Sequence, residues 1–221
     1  MPPPYTLAAH GPSLPETTPV RRVIARREAL AALAMLALAR PARAHHGGAG
    51  DALADMTLGD PGAPITIIEY ASLTCPHCAS FHKDTFPRIK ERYIDTGKAR
   101  LIYRDFPFDR AALFAAALAR CAGADRFFHF IDALFGAQAS WSRAADPVAA
   151  LVRIGRLGGL ERAEIDACLG DQTLLDGILA MRVDGAKKFE VSSTPTFIVN
   201  GEKFVGALPF ERFEEIFERL L

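Results

Sequence analysis

A Cys-Pro-His-Cys turn, Cys75 to Cys78, joins a β-branched run to a helical pattern. Ile65 to Tyr70 reads ITIIEY, a short apolar stretch expected to form a buried strand. After Cys78, the residues Phe81, Phe86, Ile89, Tyr93 and Ile94 predict a helix, with Pro87 expected to kink it. Two sulfurs are thereby fixed where a strand turns into a helix. Cys75 falls at the helix N-terminus, where unpaired N–H groups and the positive end of the dipole favour a thiolate. Cys78, one turn along, is within reach to form or resolve a disulfide. Pro76 suits the first turn, where its missing N–H is not needed. His77 is expected to add a donor and partial positive charge beside the thiolate. A thiolate stabilised in this way makes the reduced form stable and the disulfide oxidising. The turn therefore points to giving disulfides away rather than removing them.

The rest of the chain supplies a frame for that turn. Ala99 to Phe106 predicts a second strand. From Asp109 to about Lys188 the spacing is helical, punctuated by Asp125, Asp146 and Gly158-Gly159. Thr196 to Val199 and Lys203 to Val205 predict a hairpin closed by Asn200-Gly201. Phe210, Phe213, Ile216, Phe217 and Leu220 lie on one face of a terminal helix. The order β-α-β, helices, β-β-α predicts an α/β fold with an inserted all-helical domain. Residues 58–108 and 186–221 carry the sheet, and 109–185 form the insertion. Residues 45–57, rich in Gly, Ala and Asp, are expected to be a flexible segment. Phe127, Phe128, Phe130 and Phe135 are expected as core or surface apolar groups, or as the border of a peptide groove, rather than around a cofactor.

Residues 1–44 read differently. A Pro-rich leader is followed by Arg21, Arg22, Arg26 and Arg27, an apolar run from Ala29 to Ala39, and Ala42-Arg43-Ala44. Basic region, short apolar region and A-x-A is the order of a secretory signal peptide, with cleavage expected after Ala44. The apolar run is about half of the roughly 20 residues needed to span a bilayer. The Arg26-Arg27 pair leaves a twin-arginine route open beside the general one. Of the chain's 26 basic and 26 acidic residues, six Arg and two Glu leave with the peptide, so 45–221 is acidic by four charges. Neither balance has the basic excess of a nucleic-acid binder. An apolar share of 50% excludes disorder of the whole chain. Export implies an oxidising compartment.

A competing reading makes Cys75, Cys78 and His82 zinc ligands, but a four-cysteine zinc site would bring a second C-x-x-C, and the sequence has none. An inert structural disulfide is the other, although tight C-x-x-C bridges at helix starts tend to be labile.

The pieces IIEYASLTCPHC at Ile67 to Cys78 and VSSTPTFIVNG at Val191 to Gly201, with helices between them, resemble a DsbA-type thiol oxidoreductase of the thioredoxin fold. The resemblance implies that Cys75 is the exposed nucleophile and Cys78 the buried resolving thiol. It implies that Glu69 is a buried acid assisting proton transfer. It implies that Thr194-Pro195 is a cis-proline loop packed against the disulfide. Many such proteins have Val before this proline; the Thr here also occurs in related isomerases, so both activities stay open. The resemblance further implies a periplasmic monomer acting on unfolded or partly folded exported proteins. A membrane quinone-linked partner would reoxidise it, and it would need no cofactor or metal beyond its own Cys75-Cys78 disulfide. Some alphaproteobacterial members carry a second disulfide, which makes a Cys121–Cys168 bridge the expectation, with two buried free thiols as the alternative. A chaperone or metal-delivery module, and a kappa-type glutathione transferase, are the rivals from other classes.

Overall fold

The structure, a computed structural model, describes residues 52–221. The expected leader and signal peptide over 1–44 and the start of the flexible segment lie outside the described residues. Five strands form one sheet: β1 (Met56–Leu58), β2 (Ile65–Ala71), β3 (Ala99–Asp105), β4 (Thr196–Val199) and β5 (Glu202–Val205). Their order is β1-β3-β2-β4-β5. β2 runs parallel to β3 and antiparallel to β4, so Glu69 stands level with Tyr103 on one side and Phe197 on the other. A parallel pair requires a crossover, and the first helix, α1 (76–94), supplies it.

The expectation of a flexible segment over 45–57 is corrected at its end. Met56 and Thr57 belong to β1, which pairs antiparallel with β3, and Met56 is buried. Three residues cover the middle of the outer edge of β3, and the approach to them is held by Arg120, whose Nη1 donates to the carbonyls of Ala52 at 2.8 Å and Ala54 at 3.2 Å. That partner lies far along the chain, and the short strand has too few residues to show a period of its own.

α1 runs over 76–94, as α-helical turns Pro76–Ser80 and Phe86–Ile89 alternating with π-helical turns Phe81–Thr85 and Lys90–Ile94. Pro87 explains the first irregularity. Its ring cannot sit beneath the carbonyl four residues back, and the turn ahead of it widens, with the Phe86 N–H bonding to the Phe81 carbonyl. Apolar residues of α1 and of the terminal helix α8 (Phe210–Glu218) cover one face of the sheet. The Asn200-Gly201 turn has φ of 45° and 94°, the conformation a two-residue hairpin needs.

The insertion holds α2 (Arg110–Cys121), α3 (Ala124–Gly136), α4 (Gln138–Trp141), α5 (Pro147–Leu157) and α6 (Arg162–Gly170). Asp109 and Asp146 cap α2 and α5 through their carboxylates. α2 is the hub: Ala115, Ala116, Ala117 and Ala119 are all buried, and their small side chains let neighbouring helices approach closely. A disulfide joins Cys121, at the end of α2, to Cys168 in α6, with Cα atoms 6.3 Å apart. Closing a loop of 47 residues contributes about 4 kcal/mol at most in the chain-entropy account. α7 (Gln172–Phe189) passes through the expected boundary at 185/186 as one unbroken helix. Leu174 and Ile178 pack in the insertion, while Gly185 lies so close to the Tyr70 ring on β2 that an added Cβ would overlap it.

Candidate active site

The strand-to-helix turn places both sulfurs. Cys75 is the N-cap of α1 in extended backbone, and Pro76 occupies the first turn. Cys75 is half-buried and Cys78 buried, both as free thiols. The Cys75 thiol donates to the Thr194 carbonyl across 3.3 Å. The Thr194-Pro195 peptide is cis, so the loop ahead of β4 lies directly against the nucleophile.

The two cysteines differ sharply as acids. Hydrogen bonding from the Cys78 thiol, from the Thr194 side chain and from the N–H groups of Cys78 and His77 lowers Cys75 to about 5, against a smaller opposing effect of burial. The Thr194 hydroxyl is buried and bonds to no other group, which leaves it free to donate once the thiol loses its proton. Cys78 moves the opposite way: burial, the hydrogen bond to Cys75 and the charges of Cys75 and Glu69 push it well above the ordinary thiol value. The His77 side chain is exposed, and its backbone N–H is among the groups that lower Cys75.

Glu69 is fully buried on the face of β2 that α1 covers. His82 Nε2 contacts both its carboxylate oxygens, at 3.0 and 3.1 Å. The imidazole stacks on Phe135 of α3, with centroids 4.4 Å apart. The Tyr103 hydroxyl is also buried and without a partner, and burial, helped by the charges of Asp105, Glu69 and Cys78, raises its pKa. Among the described residues no group of three or more His, Cys, Asp and Glu is placed to hold a metal ion. His82, the third ligand of the competing zinc reading, is bound to Glu69 instead.

The insertion grips the turn from above. Thr74 Oγ1 donates to Asp109 across 2.6 Å, while the other oxygen of that carboxylate caps α2. Gln138 Nε2 donates to the carbonyls of Leu73 at 2.8 Å and Cys75 at 2.9 Å. Gln138→Leu is expected to lower stability by about 1–3 kcal/mol, because two inward carbonyls lose a donor that water cannot replace. Thermal unfolding together with titration of Cys75 checks this; an unchanged midpoint and an unchanged thiol would show that Gln138 does not hold the turn. Sequence spacing gave no signal for Gln138. His82 was signalled by position, one turn after Cys78 on the same helix face, but its partner was not. Phe127, Phe130 and Phe135 are core residues as expected, and Phe128 is partly buried.

Comparison with known proteins agrees with this geometry. A sequence profile of the family described as Thioredoxin matches residues 51–219. A Rickettsia bellii protein with the provisional name protein-disulfide oxidoreductase is 38% identical over 148 residues, which is 66% of this chain and 57% of the relative. The chain thus spans little more than half the length of that curated relative. Disulfide bond formation protein D of Bacillus subtilis is 27% identical, with 74% of this chain and 76% of that one covered. The crystal structure of Wolbachia pipientis alpha-DsbA1 superposes with a TM-score of 0.71 at 37% identity, covering 75% of this chain and 90% of that one. On the family match over most of the chain and the superposition on alpha-DsbA1, the chain belongs to the thioredoxin family as a DsbA-type member.

Proposed function

We propose that this chain is an exported thiol:disulfide oxidoreductase that donates its Cys75-Cys78 disulfide to newly secreted, still unfolded proteins. One observation carries the reading: a half-buried cysteine at the N-cap of α1 stands one turn from a buried one, in surroundings that lower the first thiol and raise the second. A substrate thiolate attacks Cys75 Sγ, the Cys75–Cys78 bond breaks, and its electron pair passes to Cys78. A second substrate thiolate then attacks the substrate sulfur of the mixed disulfide and expels Cys75. A leaving thiolate of low pKa departs readily, so the second step runs toward the oxidised substrate. The Thr194-Pro195 loop holds an extended substrate segment beside Cys75. The redox centre is the disulfide itself, with no further cofactor, and a membrane quinone-linked partner restores it. The order of basic region, apolar run and Ala42-Arg43-Ala44 supports export to the periplasm.

The reduction potential tests the proposal. A value close to the strongly oxidising end, roughly −120 mV, is expected. A value near roughly −270 mV, with a Cys75 thiol near the ordinary reductase value of about 7, would reject it. Thr194 supports a second reading, isomerisation of wrongly paired disulfides; reactivation of a scrambled substrate by the reduced protein would favour it.

A pH dependence accompanies the low thiol pKa. In the unfolded chain Cys75 titrates near about 8.5, and in the fold at about 5. Its stabilisation of the reduced fold is complete above the unfolded value and fades as pH falls through the folded one. The disulfide form has no thiolate and lacks this dependence. Reduced protein is therefore expected to melt above oxidised protein at pH 7, the gap closing as pH falls to about 5. Thiolate absorbance should show the same midpoint; one near 8 would show that the site does not stabilise the thiolate.

A further inference from the structure

His82 is a polar ring placed where the chain could have used a hydrophobe. Its side chain is 2% exposed and its Nε2 is committed to Glu69. Its Nδ1 is buried and has no hydrogen-bond partner. Such an orphan is costly unless water or a proton reaches it. The ring also lines a cavity of about 430 Å³ between α1 and α3, shared with Phe86, Phe135, Lys83 and Asp132. Lys83 and Asp132 are exposed, so the cavity meets solvent, and it is roomy enough for several waters. The Glu69 carboxylate, by contrast, lies at 0% exposure between Tyr103 and Phe197 and has no route of its own to water.

We propose that His82 is a positioning residue that fixes the Glu69 carboxylate beneath Cys78 and passes protons between it and the water-filled cavity at α3. The proposal rests on Glu69 serving as the acid–base partner of Cys78. When substrate attack on Cys75 expels Cys78, the Glu69 carboxyl gives its proton to the new thiolate, and His82 returns one to Glu69 from cavity water. In reoxidation the path reverses. Cys78 gives its proton to Glu69 as its sulfur attacks the mixed disulfide at Cys75, the leaving sulfur takes the electron pair, and His82 carries the proton out. The groups facing the ring are Glu69 on β2, Tyr103 on β3 and Asp132 on α3, with Cys78, Lys83 and Lys90 on its own helix. Asp132, raised by partial burial and in electrostatic contact with His82, is a proton acceptor at the mouth.

The test compares His82→Gln, Glu69→Gln and the double variant. Gln keeps a donor for Glu69 but cannot carry a proton through the ring. The readout is the single-turnover rate at which oxidised glutathione oxidises the reduced protein between pH 5 and 8. His82→Gln is expected to be slower by about tenfold at pH 7 and to change the shape of the profile. Glu69→Gln should be at least as slow, and the double variant no slower than Glu69→Gln, because the two residues act in series. A normal rate and profile in His82→Gln with a slow Glu69→Gln would overturn the inference and leave the Glu69 role standing. Normal rates in both would remove the Glu69 role and the inference with it. Additive losses would place His82 outside the path. Should His82→Gln fail to fold, imidazole ¹⁵N shifts of His82 in the wild type decide: a change between oxidised and reduced protein is expected, and identical shifts in both states across this pH range refute it.

Discussion

Cys75→Ser is expected to abolish disulfide transfer, leaving only the uncatalysed exchange, a loss of roughly 10³-fold or more. Serine forms no disulfide, and the loss is expected without collapse of the fold, because Cys75 is half-buried and the one hydrogen bond its Sγ donates, to the Thr194 carbonyl, is one a serine hydroxyl also makes. Cys78→Ser should behave differently. Cys75 would still exchange into a mixed disulfide, and the buried serine at 78 could not resolve it from the enzyme side. Substrate proteins should then be trapped on Cys75 and appear as adducts on non-reducing gels that disappear on reduction. Adducts formed by Cys75→Ser instead would reverse the two roles. The asymmetry is set by the turn: the residue that caps α1 faces outward, and the one a turn later faces the sheet.

Arg120→Leu should be the most damaging single change to stability, at about 3–5 kcal/mol. At 2–4 °C per kcal/mol for a domain of this size, the unfolding midpoint should fall by roughly 6–20 °C. Arg120 and Asp105 are both almost fully buried, with Nε and Oδ2 2.5 Å apart. The guanidinium also binds the carbonyls of Ala52 and Ala54, and its Nη2 meets Met181 of α7. Removing the cation strands a carboxylate inside the protein and frees two backbone acceptors. Arg120→Met with Asp105→Leu should be milder than Arg120→Leu alone, because no buried charge is left unpaired. A single variant within about 1 kcal/mol of wild type would show that water compensates Asp105.

Local pattern made much of this fold legible. The two parallel strands, the hairpin and the terminal helix are short segments whose apolar period and turn residues are self-contained. The helices of the insertion likewise announce themselves through Asp caps and glycines. What stayed hidden depends on distant partners. β1 exists because β3 has an edge to fill and Arg120 reaches back across the chain. Gln138 serves carbonyls on a turn more than sixty residues earlier. The His82–Glu69 contact joins a helix to a strand, and nothing in either segment names the other.

The place of β4 in the sheet has a consequence for how the protein is made. β2 and Cys75 emerge from the ribosome well before β4, which closes the inner edge of β2, and before Thr194, which caps the Cys75 thiol. Until the last thirty or so residues arrive, the sheet has an open edge and the nucleophile lacks its neighbour. The nucleophile therefore gains the neighbour that tunes it only when nearly the whole chain is present.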